Sequence, residues 1–254
     1  MTKGKSLCNK YGTFLHSEMI GLAYGSKMHS SDKKRSGFMF LLFPTPELWT
    51  RVLPHRTQIL YHADISFISM KLEILPGSKV VECGTGSASF SHSISRSIGT
   101  LGHLYTFEFH KERAEKAQAE FKLHSLSNIT IAHRDVCEHG FGLVDEADAV
   151  FLDLPAPWKA VKHAKVSLRK DEKTKICCFS PCIEQIQKTI PELKECGFIE
   201  IELCEVLIRN HDCQELKIKS FPPNGESKLL LSSKIVGQVK GHTSYLLFAS
   251  LPPQ

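Results

Sequence analysis

From residue 79 to the C-terminus, strand-length apolar segments alternate with helical ones, and this alternation limits the fold more than any other feature. KVVEC (79–83), HLYTFEF (103–109), ITIAH (129–133), ADAVFLDL (147–154) and KICCFS (175–180) read as strands. Between them, FSHSISRSI (90–98), KERAEKAQAEFKLH (111–124) and a stretch from Pro157 to Leu168 carry helical spacing. Strands joined through helices form a parallel sheet with right-handed crossovers. IEQIQKTIPELKEC (183–196) continues the pattern as a helix, followed by a long strand, FIEIELCEVLI (198–208), a polar stretch (210–241) and a closing strand, TSYLLFASL (243–251). Those last two strands have no helix between them, which lets them pair antiparallel. The fold class is α/β, an open Rossmann-like sheet.

The first fifty residues follow a different rule. Gly4, Gly12, Gly21, Gly25 and Gly37 punctuate a polar segment, with SSDKKRSG (30–37) as an exposed loop. Phe14–Leu15 and Phe38–Phe43 suggest a few short strands. FPTPELWTRVLPHR, with three prolines, reads as a connector. A helix is expected over 57–75, stopped by Pro76-Gly77. The expected organisation is a small β-rich unit over 1–50 and a larger α/β unit over 51–254.

No run of eighteen apolar residues is present, so no membrane-spanning helix is expected, and MTKGKSLCNKYG lacks the apolar core of a secretory signal. Nine cysteines without a CxxC pair argue against a zinc site and a disulfide framework, and for reduced intracellular thiols. Cys177, Cys178 and Cys182 are assigned to packing, and no metal is expected. Charge is uneven. Residues 1–60 carry nine basic and three acidic side chains, +6, whereas 61–254 carry 23 basic and 24 acidic, −1. A localised basic excess fits a nucleic-acid surface or a solvated loop. The run Lys159, Lys162, Lys165, Arg169, Lys170, Lys173 and Lys175 reads as a solvated face or a contact to an RNA backbone.

Four strand ends carry chemistry. After KVVEC, Gly84-Thr85-Gly86-Ser87-Ala88-Ser89 forms a small-residue turn that lets backbone approach a nucleotide-like ligand. Glu108 follows 24 residues beyond Gly84, the usual place for a carboxylate on ribose hydroxyls. Asp135 stands after the third strand, suited either to an adenine edge or to a helix cap. Asp153-Leu154-Pro155-Ala156-Pro157-Trp158 is the most telling segment: an apolar strand delivers a carboxylate into a proline-stiffened loop. Such a carboxylate suits methyl transfer to an amino-substituted nitrogen heterocycle, because it can hydrogen-bond the exocyclic amine.

With these motifs in place, the chain resembles the catalytic subunits of tRNA adenine-N1 methyltransferases, which act on the T-loop adenosine at tRNA position 58. The blocks that carry the resemblance are PTPELW (44–49), LPHRTQILY (53–61), ECGTGSAS (82–89), FEFHKERAEKA (107–117), RDVC (134–137), DLPAPW (153–158), FSPCIEQ (179–185) and GHTSYL (241–246). The resemblance implies a class I S-adenosylmethionine-dependent methyltransferase sheet with a small, shortened N-terminal β domain. It implies S-adenosylmethionine contacts from Leu60, Gly84, Gly86, Ser87, Ala88, Ser89, Glu108, Arg113, Asp135, Val136 and Asp153, with Asp153 catalytic. Gln58, Tyr61, Leu154, Pro155, Ser180, Pro181 and Thr243 are expected on the RNA side, with His55 and His242 facing RNA. The implied partners are tRNA and a homologous non-catalytic tRNA-binding subunit in a heterotetramer, in the nucleus and with no membrane association.

Two departures stand out. Ala88 occupies a position where the family usually has glycine, which is expected to add a methyl beside the cofactor. The first match, near Tyr11-Gly12, falls in the middle of the family's N-terminal domain, so that domain is expected to be incomplete and the first ten residues unrelated. These departures motivate an alternative, a catalytically impaired paralogue serving as an RNA- or partner-binding scaffold. A nicotinamide oxidoreductase would rest on Gly84, Gly86 and Glu108 alone.

Overall fold

Glycine-rich turns bring the N-terminal strands back on themselves as two hairpins. The structure, a computed structural model, describes residues 1–32, 37–218, 228–238 and 241–254. β1 (Ser6–Asn9) pairs antiparallel with β2 (Gly12–Leu15); after a short α1 (His16–Met19), β3 (Lys27–His29) pairs antiparallel with β4 (Phe38–Phe40). A side chain at Gly37 would collide with the backbone carbonyl of Tyr11, so only glycine fits there. Phe14, Met19, Met28 and Leu41 bury one another in a separate small core. The basic residues Lys33, Lys34 and Arg35, with half of the expected exposed loop, lie outside the described residues. The described chain divides into two compact units, Met1–Arg51 and Val52–Gln254. The proline-rich connector contains a helix that was not expected, α2 (Pro46–Val52); its proline stands at the first helical position, where the missing N–H has no intrahelical role.

The second unit runs α3 (His62–Lys71), β5 (Lys79–Cys83), α4 (Ser89–Ile98), β6 (His103–Glu108), α5 (Lys111–Leu123), β7 (Ile129–His133), α6 (Val136–His139), β8 (Ala149–Asp153), α7 (Pro157–Ser167), β9 (Thr174–Ser180), α8 (Ile183–Glu195), β10 (Ile199–Cys204), β11 (His211–Ile218), β12 (Lys228–Ile235) and β13 (Tyr245–Leu251). Its main sheet has the order β10-β13-β9-β8-β5-β6-β7. β7, β6, β5, β8 and β9 are parallel, and β13 runs antiparallel to both β9 and β10. Alternate strand residues feed two cores. Val81, Val150, Leu152, Ile176 and Leu247 pack with Ala160, Val161, Ala164, Ile186 and Leu193 of α7 and α8. Val80, Phe151, Cys177, Leu246 and Phe248 pack with Ile65, Ile68, Phe90, Ile94 and Ile98 of α3 and α4. Burial on both faces explains why these strands read as nearly continuous apolar runs.

Two expectations need correction. The helix predicted over 57–75 spans only His62–Lys71, because residues 56–60 hydrogen-bond to the glycine turn after β5 instead of to a helix of their own. The strand predicted to reach 208 ends at Cys204, and the polar stretch holds the hairpin β11–β12, in register from His211↔Ile235 to Ile218↔Lys228. Leu229, Leu230 and Leu231 are all exposed, so this hairpin has no buried face whose period could be read. Among the described residues, no helix is long and apolar enough to cross a membrane.

Candidate active site

Strand order reverses on either side of β5, with β6 to one side and β8 to the other, and the chain leaves all three at one sheet edge. Open α/β sheets bind ligands at such a switch point. A cavity of about 520 Å³ lies there, lined by Gln58, Leu60, Gly84, Gly86, Glu108, Arg113, Asp135, Val136, Asp153, Leu154 and Pro155 among others. Ser87, Ala88 and Ser89 line a narrow adjoining cleft behind the turn. Three residues expected on the substrate side line neither space: Tyr61, Pro181 and Thr243 are exposed. Ser180 is fully buried, its hydroxyl without a hydrogen-bond partner among the described residues.

The glycine turn is tightly enclosed. Gly84 has φ +93°, and a side chain on it would strike the carbonyl oxygen of Asp153. On Gly86, at φ +52°, a Cβ would lie 2.6 Å from Thr57 Oγ1. Ala88, immediately before α4, takes the left-handed conformation with φ 62° and ψ 26°. This explains the glycine expected there, since an L side chain in that region costs about 1 kcal/mol. Its methyl joins Ala117 and Phe121 of α5 in a small apolar cluster, so the departure falls chiefly on backbone strain and helix packing.

Each carboxylate at the sheet edge has its own surroundings. Glu108 is almost wholly buried. Its Oε1 accepts hydrogen bonds from the His110 amide (2.9 Å) and from Arg113 Nε (3.0 Å) and Nη2 (2.7 Å), while Oε2 accepts from the Gly86 amide at 3.0 Å. Burial pushes this carboxyl up, but the His110 amide, Arg113 and the Gly86 amide together hold it below the usual range. Asp135 caps α6, its Oδ1 accepting from the Cys137 amide at 2.9 Å, so the helix-cap role is realised inside the cavity wall. Asp153 has no hydrogen bond or ion pair to its carboxylate among the described residues. Burial and the nearby charge of Glu108 push it up to about 7. Glu82, fully buried one strand residue before Cys83, is pushed up to about 8 by burial despite the Ser91 hydroxyl at 2.6 Å.

Three supporting residues escaped the sequence reading, although each lies in one of the quoted blocks. Arg56 and Thr57 tie the preceding strap to the turn: both amides donate to Ser87 Oγ, at 2.8 and 3.0 Å, and Arg56 Nε donates to the Gly86 carbonyl at 3.1 Å. Gln185 fixes the loop after Asp153, with Nε2 donating to the Pro155 carbonyl at 3.0 Å while Oε1 accepts from the Cys182 amide at 3.1 Å. His242 lies between the Glu205 carboxylate (2.5 Å) and the Pro181 carbonyl (2.9 Å), and the bond to Glu205 leads in raising its imidazole above the usual range.

The basic run after Trp158 is mostly neutralised. Lys162 faces Glu192 and Glu195, Arg169 faces Asp148, Asp171 and Glu172, and Lys170, Lys173 and Lys175 pair with Asp145, Glu200 and Glu73. Lys159 instead lines the cavity. Cys177 and Cys178 pack into opposite faces of the sheet and Cys182 is exposed, so these three thiols do not converge. Among the described residues, His92, Glu120 and His124 bring ligand-type atoms within 4.8 Å of one another. There Glu120 is held by Arg56 at 2.6 Å, and His92 Nε2 and His124 Nδ1 share a hydrogen bond of 2.9 Å. The guanidinium supplies the positive charge, and the group acts as an internal polar network.

Comparison with known proteins gives this geometry a context. The profile of a family described as tRNA methyltransferase complex GCD14 subunit matches residues 37–225. A Cryptococcus neoformans protein named tRNA (adenine(58)-N(1))-methyltransferase catalytic subunit TRM61 is 48% identical over 242 residues, covering 95% of this chain and 54% of its own length. The similarly named Schizosaccharomyces pombe protein is 52% identical over 208 residues, covering 80% and 57%. The chain thus spans just over half the length of these curated relatives. Among solved structures, a SAM-dependent O-methyltransferase from Thermotoga maritima superposes with a TM-score of 0.81 at 27% identity, covering 99% of this chain and 87% of its own. A tRNA (m1A58) methyltransferase, TrmI from Aquifex aeolicus, shares the fold with a TM-score of 0.75 at 24% identity, covering 98% and 90%. The architecture is that of a class I S-adenosylmethionine-dependent methyltransferase.

Proposed function

The chain belongs to the family of tRNA methyltransferase complex GCD14 subunits, and from that premise we propose that it methylates N1 of the T-loop adenosine at tRNA position 58. The observation that carries this reading is the unpartnered carboxylate of Asp153 at the switch point, in one cavity with a glycine turn and a Glu108 anchored by four protein donors.

The cavity suits S-adenosylmethionine. Its volume lies in the range of small-molecule sites, and Gly84 and Gly86, which the Asp153 carbonyl and Thr57 Oγ1 keep free of side chains, line it with backbone alone. Glu108 Oε1 is saturated by three donors, but Oε2 has one, so Oε2 keeps a lone pair for a ribose hydroxyl. Asp135 keeps Oδ2 for an adenine amine beside Val136, and Leu60 covers the turn from the strap. When bound, S-adenosylmethionine supplies an electrophilic methyl group on a positively charged sulfur.

Asp153 acts on the target base. Its carboxylate accepts a hydrogen bond from the exocyclic amine, which aligns the N1 lone pair and stabilises the positive charge that N1 gains on methylation. To reach this wall the adenine leaves its stack, at roughly a few kcal/mol. Leu154 and Pro155, held by Gln185, form the floor beside it, with Gln58 opposite. Tyr61, Pro181 and Thr243 would meet the RNA from the exposed surface, where His242 ties the Pro181 carbonyl to Glu205, and Ser180 lies buried at the end of β9. No metal enters this chemistry. The near-neutral charge of residues 61–254 gives the catalytic sheet little long-range attraction for RNA, which favours a basic partner; from the family resemblance the reading takes that partner as a homologous non-catalytic tRNA-binding subunit in a heterotetramer, and a nuclear location. The scaffold alternative draws no support from Ala88, whose methyl packs against α5.

The test is incorporation of labelled methyl from S-adenosylmethionine into unmodified tRNA, with and without the non-catalytic subunit, followed by mapping. The expected product is N1-methyladenosine at position 58. Methylation of another atom or position, or no cofactor binding, would refute the proposal.

A further inference from the structure

We infer that Arg56 is a positioning residue for the cofactor turn, held in that role by Glu120; the inference rests on the S-adenosylmethionine site proposed above. Arg56 makes three contacts of different kinds. Its amide donates to Ser87 Oγ at 2.8 Å, its Nε donates to the Gly86 carbonyl at 3.1 Å, and its Nη1 meets Glu120 Oε2 at 2.6 Å. It therefore joins the strap, the glycine turn and α5, the helix that also packs on Ala88.

The geometry of the ion pair is informative. Both side chains are nearly buried, at 13% and 11% exposure, where an arginine and a carboxylate gain most by closing a two-point fork. Here the fork is open. Arg56 Nη2 and Glu120 Oε1 are both buried without a hydrogen-bond partner among the described residues. The guanidinium is turned so that Nε reaches the Gly86 carbonyl, and the second salt-bridge contact is forgone. A pair serving stability alone has no reason to adopt this arrangement. A pair that also holds the carbonyl of Gly86 does, because the same turn must present the Gly86 amide to Glu108 at 3.0 Å. Arg56 thus fixes one end of the turn, and Glu108 takes the amide from the other side. Neither Arg56 nor Glu120 lines the cavity, so each acts through the turn.

The experiment is calorimetric titration of S-adenosylmethionine into the full chain and into R56K, R56Q and E120Q, with each variant's thermal midpoint measured without ligand. Lysine keeps a charge beside Glu120 but cannot also hold the Gly86 carbonyl. R56K is expected to retain a midpoint near wild type and to bind the cofactor about tenfold more weakly. R56Q and E120Q are expected to lose at least as much affinity together with a lower midpoint. In methylation assays R56K should raise KM for the cofactor and leave kcat nearly unchanged. Wild-type affinity in R56K would overturn the inference even if R56Q fails to fold, and wild-type affinity in a folded E120Q would overturn the part given to Glu120. Failure of the unaltered chain to bind the cofactor would overturn the underlying methyltransferase reading, and this inference with it.

Discussion

Glu108 and Asp153 end the two strands that flank β5, and both are sheltered from solvent, yet they differ in every other respect. Glu108 accepts four hydrogen bonds from protein donors and is held below the usual carboxylate range. Asp153 accepts none from the described residues and stands at about 7. Burial alone raises a carboxyl, and donors lower it, so the direction is decided by how many partners the fold supplies. The difference separates a carboxylate that the scaffold anchors beside the cofactor from one left without protein partners for the target base. Neighbouring groups driven apart in this way are the usual mark of divided roles in a site.

The largest expected effect comes from removing the reserved group. D153A should lower methylation by about a thousandfold or more while cofactor affinity changes little, measured by single-turnover labelling beside calorimetry. Near-normal turnover would remove the distinction between the two carboxylates. E108Q should do the reverse, weakening S-adenosylmethionine by about 10–100-fold and lowering stability by roughly 1–2 kcal/mol, because Arg113 and two amides lose their charged acceptor. A full loss of kcat with unchanged KM would contradict that assignment.

Smaller effects follow from pH and strain. Asp153 has a folded value of about 7, above its unfolded value, so the folded state binds more protons and loses stability as pH rises from about 4 through 7. D153N removes this loss. The free variant should match wild type at pH 4 and exceed it by about 1 kcal/mol at pH 8 in denaturant unfolding, the partial exposure of the group limiting the gain. Glu82 is raised chiefly by its own burial, which both proteins share, and losing the Asp153 charge lowers it slightly, in the same direction as the gain expected for D153N. A88G should change stability by less than about 0.5 kcal/mol, since release of a strained left-handed alanine is offset by the loss of one buried methyl. A large change in either direction would show that the turn is held differently.

Much of this was legible before the structure because the parallel strands are buried on both faces and therefore continuously apolar, and because glycines and carboxylates recur at their ends. The cavity gathers Gly84, Glu108, Asp135 and Asp153 from four separate segments of sequence. Less legible was anything that depends on one side chain choosing a distant partner. Residues 57–61 have helical spacing, yet Ser87 and Ser89 draw this strap out of a helix. Arg56 looked like part of a basic excess, but Glu120 and the Gly86 carbonyl hold it inside. Lysines 162, 170, 173 and 175 read as a solvated face or an RNA contact, and the carboxylates remote in sequence that pair with them were not legible. The hairpin β11–β12 left no periodic signal because neither of its faces is buried.

The contrast between the two carboxylates is tested most directly by titrating them individually, with carbon-13 NMR of selectively labelled Asp and Glu assigned through D153N and E108Q. In the free protein Asp153 should titrate near 7 and Glu108 below the ordinary glutamate range. S-adenosylmethionine should then move Asp153 downward, with a much smaller shift from S-adenosylhomocysteine, whose sulfur is uncharged. Asp153 titrating in the free protein at about 4, as an ordinary aspartate does, or Glu108 titrating above it, would contradict the division of roles.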